Sequence, residues 1–541
     1  MEDPLSFIAE NALDAVSSAA ETVSDVVKPA AEAAVGAAAG FVTESLPRAV
    51  SAAAEVLSPV LSDVASELVS DFIAGAFTGS GSRQTPSKTP SKTSSKTSSK
   101  TDRQTVPDRI PAAVHRPGVW DVLVVGAGPA GLFAALGAAG IATGKSGEAP
   151  KGVAPRVLVL EKMPTPGRKL LISGSGRCNV THAGPISDFF ARYGKRERFV
   201  KPALLNFTNE NLVQFLKAHG LPCVRLNDGK IFPKTERARD VLNLLLEACQ
   251  TRNVRLECGQ PVLSARWNPD ESVFEVRTGS GETFRSLKLI LTVGGKSYPT
   301  TGSTGDGALF ARAFGHTLVP LKPALTSVTI TRYPFGSCAG IALPNALLSL
   351  HRGGQLIASH RGDVLFTHQG LSGPGILDFS RLFEPNDELR LASVCALKDE
   401  FLTDLLQRNS QREIGNLLRT EFQLSDRFVS ELLRNRQIPD SLRAWQVTRP
   451  QRLAILGLLT SFPLTIQSLG GFREAMVTSG GIELSEVNRQ TMESRRVPGL
   501  FFAGEVLDVD GDSGGFNLQF AFSSGLVAGQ NAVKTISRAS L

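Results

Sequence analysis

From Trp120 onward the chain alternates short apolar runs with amphipathic stretches, the pattern of an α/β protein. Val122-Leu123-Val124-Val125 is an apolar strand that runs directly into Gly126-Ala127-Gly128-Pro129-Ala130-Gly131 and then a helix. Val157-Leu158-Val159-Leu160 is a second strand and ends on Glu161. Helical spacing marks 209–219 and 238–250, and 254–257 reads as a strand. Runs at 262–267, 272–277 and 283–287, separated by Asn268-Pro269-Asp270 and Gly279-Ser280-Gly281, predict an antiparallel meander. A further strand over 287–292 runs into Gly294-Gly295. Between about 321 and 469 the character changes. Short strands at 327–331, 347–351, 356–360 and 363–367 predict a small barrel. After Lys398 the spacing of Leu402, Leu405 and Leu406, then Leu417 and Leu418, then Val429, Leu432 and Leu433 predicts helices. Strands first and helices after is the expected order of this insert.

Upstream, residues 1–78 are rich in Ala, Val, Ser and Glu, and Pro29, Pro47 and Pro59 break them into helical pieces. They read either as a self-association or surface-association module or as a weakly helical extension. Residues 79–117 form a linker in which a four-residue Thr-Pro/Ser-Ser-Lys repeat (Thr85 to Lys100) carries no apolar side chain and cannot build a core. The expected organisation is an acidic helical extension (1–78), a disordered linker (79–117), a nucleotide-binding domain in two parts (118–322 and 471–541), and an inserted barrel-plus-helices domain (323–470).

The glycine run has a mechanism because it sits between a strand and a helix. Gly126 permits the tight turn, Gly128 lets the backbone approach a pyrophosphate, and Gly131 lets the helix pack close to the strand. Pro129 and Ala130 open a helix whose positive end faces the phosphate. Glu161, followed by Lys162, is the acid that would hold an unphosphorylated ribose; it comes late because a Gly/Ala/Lys/Pro stretch from Gly140 to Arg156 intervenes. Asp306, after Gly302-Ser303-Thr304-Gly305, is expected to cap the helix at 308–314.

Five ordered motifs carry a family resemblance. Gly167-Arg168-Lys169-Leu170-Leu171-Ile172-Ser173-Gly174-Ser175-Gly176-Arg177-Cys178-Asn179 is joined by the segments beginning at Gly294, Leu365, Thr478 and Gly504. The set resembles the YhiN/BaiN-like flavoproteins, also called aminoacetone-oxidase-type FAD-binding enzymes, from about Trp120 to the C-terminus. Ser175 departs from the family's third glycine. The resemblance implies a glutathione-reductase-type FAD/NAD(P)-binding Rossmann-like domain split by the insert. It implies that Glu505 hydrogen-bonds the ribityl chain, that Gly174, Gly176 and Asn179 let a loop pass close to FAD, and that Arg168 or Lys169 neutralises phosphate. The helix opened by Gly514-Gly515-Phe516-Asn517-Leu518 would aim its positive end at the flavin. Val262, Gly294, Gly295 and Gly504 complete the expected cofactor-binding set. Cys178 either faces the isoalloxazine or is a buried structural thiol, and His368 is either an acid/base group or a hydrogen-bonded structural histidine. Tyr298 lines the pocket or packs.

The implied activity is FAD-dependent hydride transfer with a small organic substrate. No second strand–G-x-G-x-x-G–helix unit exists, so either NAD(P)H visits the flavin transiently or oxygen re-oxidises it. A flavin-dependent tRNA-modifying enzyme, or a flavin-binding scaffold targeted by its N-terminal helices, are the alternatives. Composition narrows the rest. The net charge of +7 combines an acidic stretch (residues 1–80, twelve acids against two bases) with a mildly basic remainder. That excess is too diffuse to argue a nucleic-acid partner. Six cysteines without a C-x-x-C fit reduced thiols in the cytoplasm, and no metal spacing occurs. The longest charge-free apolar stretch near the N-terminus, 33–43, is too short to span a bilayer.

Overall fold

The protein is described from a computed structural model covering residues 116–140 and 154–539. The expected N-terminal helices, nearly all of the linker and most of the 140–156 insertion lie outside the described residues.

Strand β1 (Val119–Val125), helix α1 (Pro129–Ala138) and strand β2 (Val157–Leu160) form the first unit, with β1 and β2 parallel. A small antiparallel sheet follows, in which β3 (Thr181–His182) and β4 (Cys223–Arg225) flank β5 (Lys230–Pro233). Helix α2 (Ala238–Thr251) leads to β6 (Arg255–Glu257), β7 (Val262–Asn268), β8 (Val273–Thr278) and β9 (Thr283–Leu291). The main sheet runs β6-β2-β1-β9-β8-β7.

The expected break at Leu287 is absent: 283–287 and 287–292 are one strand. β9 pairs with β1 along almost its whole length. Its other edge is shared, antiparallel to β8 at 283–286 and parallel to the late strand Leu500–Phe502 at 289–291. Two partners in tandem give one strand the look of two in the sequence.

Beyond β10 (Leu318–Ala324), six strands close a barrel in the order β11-β14-β13-β12-β15-β16. They are β11 (Val328–Ile330), β12 (Ala342–Arg352), β13 (Gln355–Phe366), β14 (Gly370–Ser372), β15 (Glu388–Ala392) and β16 (Phe462–Leu469). The segments 356–360 and 363–367 are again one strand, β13, with irregular pairing where Gly362 lies against Gly375.

The expected helices exist as Asp399–Arg408, Ile414–Phe422 and Asp426–Arg434, and a fourth spans Arg449–Thr460. The expected order needs correcting, because β16 follows the helices and returns to the barrel beside β15. The helices are an excursion between two neighbouring strands. Phe335 ties them to the barrel, its ring 5.3 Å from those of Phe366 and Phe428 and 4.9 Å from that of Phe462.

The chain then supplies β17 (Val477–Ile482), which pairs with β10, then β18 (Leu500–Phe502) and helix α3 (Phe516–Ala539). Helix α3 lies on α1 with backbone against backbone. A Cβ at Gly525 would overlap the Ala130 carbonyl, one at Gly529 the Ala134 carbonyl, and one at Gly137 would come within 2.6 Å of the Leu526 oxygen. The two ends of the nucleotide-binding fold are thereby locked together. Its core and the barrel's core are separate clusters of buried apolar side chains.

Candidate active site

A cavity of about 670 Å³ opens where β1, α1, the 167–179 loop, the 292–306 loop and the start of α3 converge. Its first wall is the glycine turn. Gly126 sits at φ +101°, where a Cβ would press on the Thr292 carbonyl at 2.7 Å. Gly131 stands behind the wall, where a Cβ would overlap the Gly126 carbonyl oxygen. At Gly128 a Cβ would meet no atom of the described residues within 4 Å. Gly128, Pro129 and Ala130 face the cavity, so the start of α1, with its unpaired N–H groups, forms a cradle for an anion.

The next wall carries the charges. Glu161 accepts from the backbone N–H of Ala127 (2.8 Å) and of Met163 (2.9 Å), which fixes its carboxylate at the cavity edge. Lys162 donates to Asp306 and to Thr304, both at 2.6 Å. The expected cap by Asp306 is therefore not made. Its backbone is already helical and its carboxylate goes to the ammonium. Lys169 is likewise engaged: its Nζ lies 2.6 Å from Glu505, whose other oxygen accepts from Thr478 N–H at 2.7 Å. Arg168 lines the cavity without an intramolecular ion pair among the described residues, which leaves its guanidinium available to an anion there. Val262 and Gly294 also line this region. Gly295 and Gly504 do not. A Cβ at Gly295 would collide with Thr478, and one at Gly504 would come 2.7 Å from the Ala130 Cβ.

At the far end the 173–179 loop meets the start of α3. Gly174, Asn179, Gly514, Gly515, Asn517 and Leu518 line the cavity. Gly176 does not; its carbonyl instead accepts from Ala238 N–H at the start of α2. The Asn517 amide donates to the Gly511 carbonyl (3.0 Å) and accepts from Gly511 N–H (2.8 Å), pinning the preceding loop. Buried Tyr193 donates its hydroxyl to the Phe516 carbonyl at 2.7 Å. One buried side-chain oxygen on the cavity wall, Asn179 Oδ1, has no partner among the described residues. An orphaned acceptor is costly unless a ligand satisfies it, so the site fits a bound group that carries N–H or O–H.

The barrel closes the cavity with Leu325, Pro374, Leu377 and the neighbouring Met476 and Val477. Opposite them stand Phe232, Lys230 and Arg177, the guanidinium 4.7 Å above the Phe232 ring. Sequence reasoning missed Lys230 and Phe232 altogether, because β5 is only four residues long and the Asn227-Asp228-Gly229 turn before it says nothing of which cavity the strand lines. Tyr298 lines the cavity in a left-handed conformation at φ +53°, sparsely populated for so large a side chain. A charged node behind the 508–513 loop joins the barrel to the nucleotide-binding fold. Arg381 reaches Asp512 (2.6 Å), Arg196 reaches Asp508 (2.7 Å), and Asp378 accepts from Ser513 N–H (2.6 Å). Burial, reinforced by Asp378, raises the Asp512 pKa above the ordinary carboxylate value.

The two expected catalytic residues are not brought to the cavity. Cys178 is fully buried, and burial pushes its thiol up to about 12, which makes it a poor nucleophile. His368 is exposed on the turn between β13 and β14, and all of β14 separates it from Pro374 at the cavity. His368→Ala is therefore expected to change kcat/KM less than about twofold; a loss beyond tenfold in steady-state turnover would return it to the site.

A nucleotide cradle at the head of a parallel sheet, joined to an apolar chamber under a second domain, defines a flavin-dependent oxidoreductase of Rossmann type. The chain belongs to the family of the HI0933-like protein Rossmann domain, whose match spans residues 120–531. It is an FAD-dependent oxidoreductase. It is 32% identical to the ribosomal RNA dihydrouridine synthase of Escherichia coli K12, over 76% of this chain and 98% of that one. It is 28% identical to the 3-dehydro-bile acid delta(4,6)-reductase of Clostridium scindens, over 76% and 98%. Among solved structures, the 3-ketosteroid-delta4-(5alpha)-dehydrogenase of Rhodococcus jostii RHA1 is similar at 16% identity and a TM-score of 0.38, covering 77% of this chain and 98% of that one. No described helix is long and apolar enough to cross a membrane.

Proposed function

We propose that the protein reduces a carbon–carbon double bond conjugated to a carbonyl, drawing its electrons from NAD(P)H. The observation that carries this reading is the pair of cations, Arg177 and Lys230, beside Phe232 on the wall of a cavity that Leu325, Leu377 and Met476 also line. Hydride addition to the β-carbon pushes the electron pair onto the carbonyl oxygen, and a fixed cation there stabilises the charge as it develops. A proton at the α-carbon completes the reduction, and the carbonyl is restored. When bound, FAD supplies the hydride from N5.

The chain's own residues divide the remaining work. The glycine turn, Glu161 and Arg168 would hold the adenosine and pyrophosphate. Glu505 and Lys169 would face the middle of the cofactor, and Asn179 with the start of α3 would meet its ring system. Leu325, Leu377 and Met476 would give the reacting face apolar contacts. The names of both relatives support the reaction class, since a dihydrouridine synthase and a delta(4,6)-reductase each add hydrogen to a ring double bond near a carbonyl.

The test is anaerobic. Holoenzyme is mixed with NADH or NADPH, bleaching of the flavin band is followed, and a conjugated enone or uridine-containing RNA is then added. Return of the flavin colour with formation of the saturated product is expected. Bleaching by an amine or alcohol, with recolouring only by oxygen, would make the protein an oxidase instead.

A further inference from the structure

We propose that the helical excursion between β15 and β16 is a docking face for single-stranded RNA, with Trp445 as a base-stacking platform and Arg412 and Arg443 as phosphate contacts. The inference rests on the reductase reading and takes its substrate to be a uracil ring held in a polynucleotide.

The first observation is Trp445, whose side chain is 63% exposed. It does not sit on a loose loop. Its backbone N–H donates to the Ser410 carbonyl (3.1 Å), that of Ala444 to Arg412 (2.9 Å), and the Arg443 guanidinium to the Gln411 carbonyl (2.8 Å). An indole held rigidly in water is an unfavourable surface unless something stacks on it. Every nucleobase has a face that does.

The second observation is the depression beside it, about 630 Å³ and lined by polar side chains throughout, among them Gln411, Asn416 and Thr420. Three arginines face it, but they are not equivalent. Arg419 is locked by Asp440, Asp426 and Ser430 and serves as its wall. Among the described residues Arg412 touches no carboxylate and donates only to Thr420 (2.8 Å) and to Asn409. Arg443 has Glu413 at 3.7 Å, a distant partner that a phosphate would displace. The acids at the rim are Glu413 and Asp426, the latter already turned to Arg419. Two available guanidiniums beside a fixed indole are the elements of sequence-tolerant single-strand binding.

Placement supplies the third observation. Leu325, just before β11, and Met476, beyond the end of β16, face the cavity. The helices join β16 at its other end, where Phe462 pairs with Leu391. They thus occupy the end of the barrel away from the chemistry. A small substrate never reaches that end, whereas a polynucleotide entering the cavity with one residue has length enough to cover it. The sequence-based expectation of no nucleic-acid partner weighed total charge, which this short patch of two arginines and one indole hardly changes.

Fluorescence anisotropy of a labelled oligouridylate tests the assignment on the full-length holoprotein. Trp445→Ala is expected to weaken binding about tenfold or more. The Arg412→Gln/Arg443→Gln variant is expected to lower the slope of log K against log salt by about 1.4, roughly 0.7 per lost phosphate contact. Both variants should keep the wild-type melting temperature and reduce a small enone at the wild-type rate. Equal affinity of wild type and variants, tight binding of a protein or peptide partner instead, or no oligouridylate binding by a wild type that reduces the enone, overturns the docking face. The reductase reading stands in each of those cases. If the variants lose RNA while no enone or uridine is reduced, the docking face stands and the reaction class fails.

Discussion

Gly128→Val yields a protein that folds, melts near the wild-type temperature and is colourless. At this position an added Cβ meets no atom of the described residues within 4 Å, so the apo fold should tolerate the substitution. The same side chain fills the cradle at the start of α1, where the pyrophosphate backbone must approach. FAD occupancy after purification, read from the visible flavin band and from cofactor released by heat, is expected to fall below about a tenth. The control is Gly131→Val, whose side chain would run into the Gly126 carbonyl. That variant is expected to lose folding itself. A yellow Gly128→Val protein would show that this turn does not hold the cofactor.

The second large effect belongs to the cations in the chamber. Arg177→Ala/Lys230→Ala is expected to lower turnover by roughly 10²–10³, the usual cost of removing a fixed donor from a developing oxyanion. Among the described residues Lys230 pairs with Asp228, at 2.7 Å and half-exposed, and Arg177 has Glu236 at 3.6 Å. Neither pair holds the fold, so FAD occupancy and melting temperature should stay near wild type. Stopped-flow traces separate the steps: flavin bleaching by NAD(P)H should persist while re-oxidation by the enone slows. Unchanged re-oxidation would remove these residues from the chemistry, and loss of flavin would assign them to cofactor binding.

Much of this was readable in the amino-acid order, for a physical reason. The Gly126–Gly131 turn, Glu161 and Gly514-Gly515 are local devices whose conformational demands leave a mark in the residues themselves. The helices at 402–406, 417–418 and 429–433 were legible because apolar spacing records which face is buried. The failures share a different cause. β9 looked like two strands because its partners change along its length, and pairing partners are non-local. His368 looked catalytic because it sits on a loop after a strand of the insert, yet which end of a barrel a turn occupies is known only once the barrel closes. Lys230 and Phe232 were missed on a four-residue strand whose position depends on β3 and β4. The engagement of Lys169 by Glu505, and of Lys162 by Asp306, joins residues well over a hundred positions apart, and no spacing rule reaches that far.

The clasp between α1 and α3 sets a schedule for biosynthesis. On the ribosome the glycine turn emerges roughly four hundred residues before Phe516, an interval of about 20 to 80 s at ordinary elongation rates. Throughout that interval the face of α1 that will take Gly525 and Gly529 has no partner, and half of the cofactor's cradle does not yet exist. The barrel is spared the wait, since its core draws only on Val328 to Ile466 and can condense while synthesis continues. A nascent chain therefore passes through a stage with its smaller body finished and its larger one open, exposing apolar sheet to chaperones. The cavity that takes the cofactor is complete only once the start of α3 has been made.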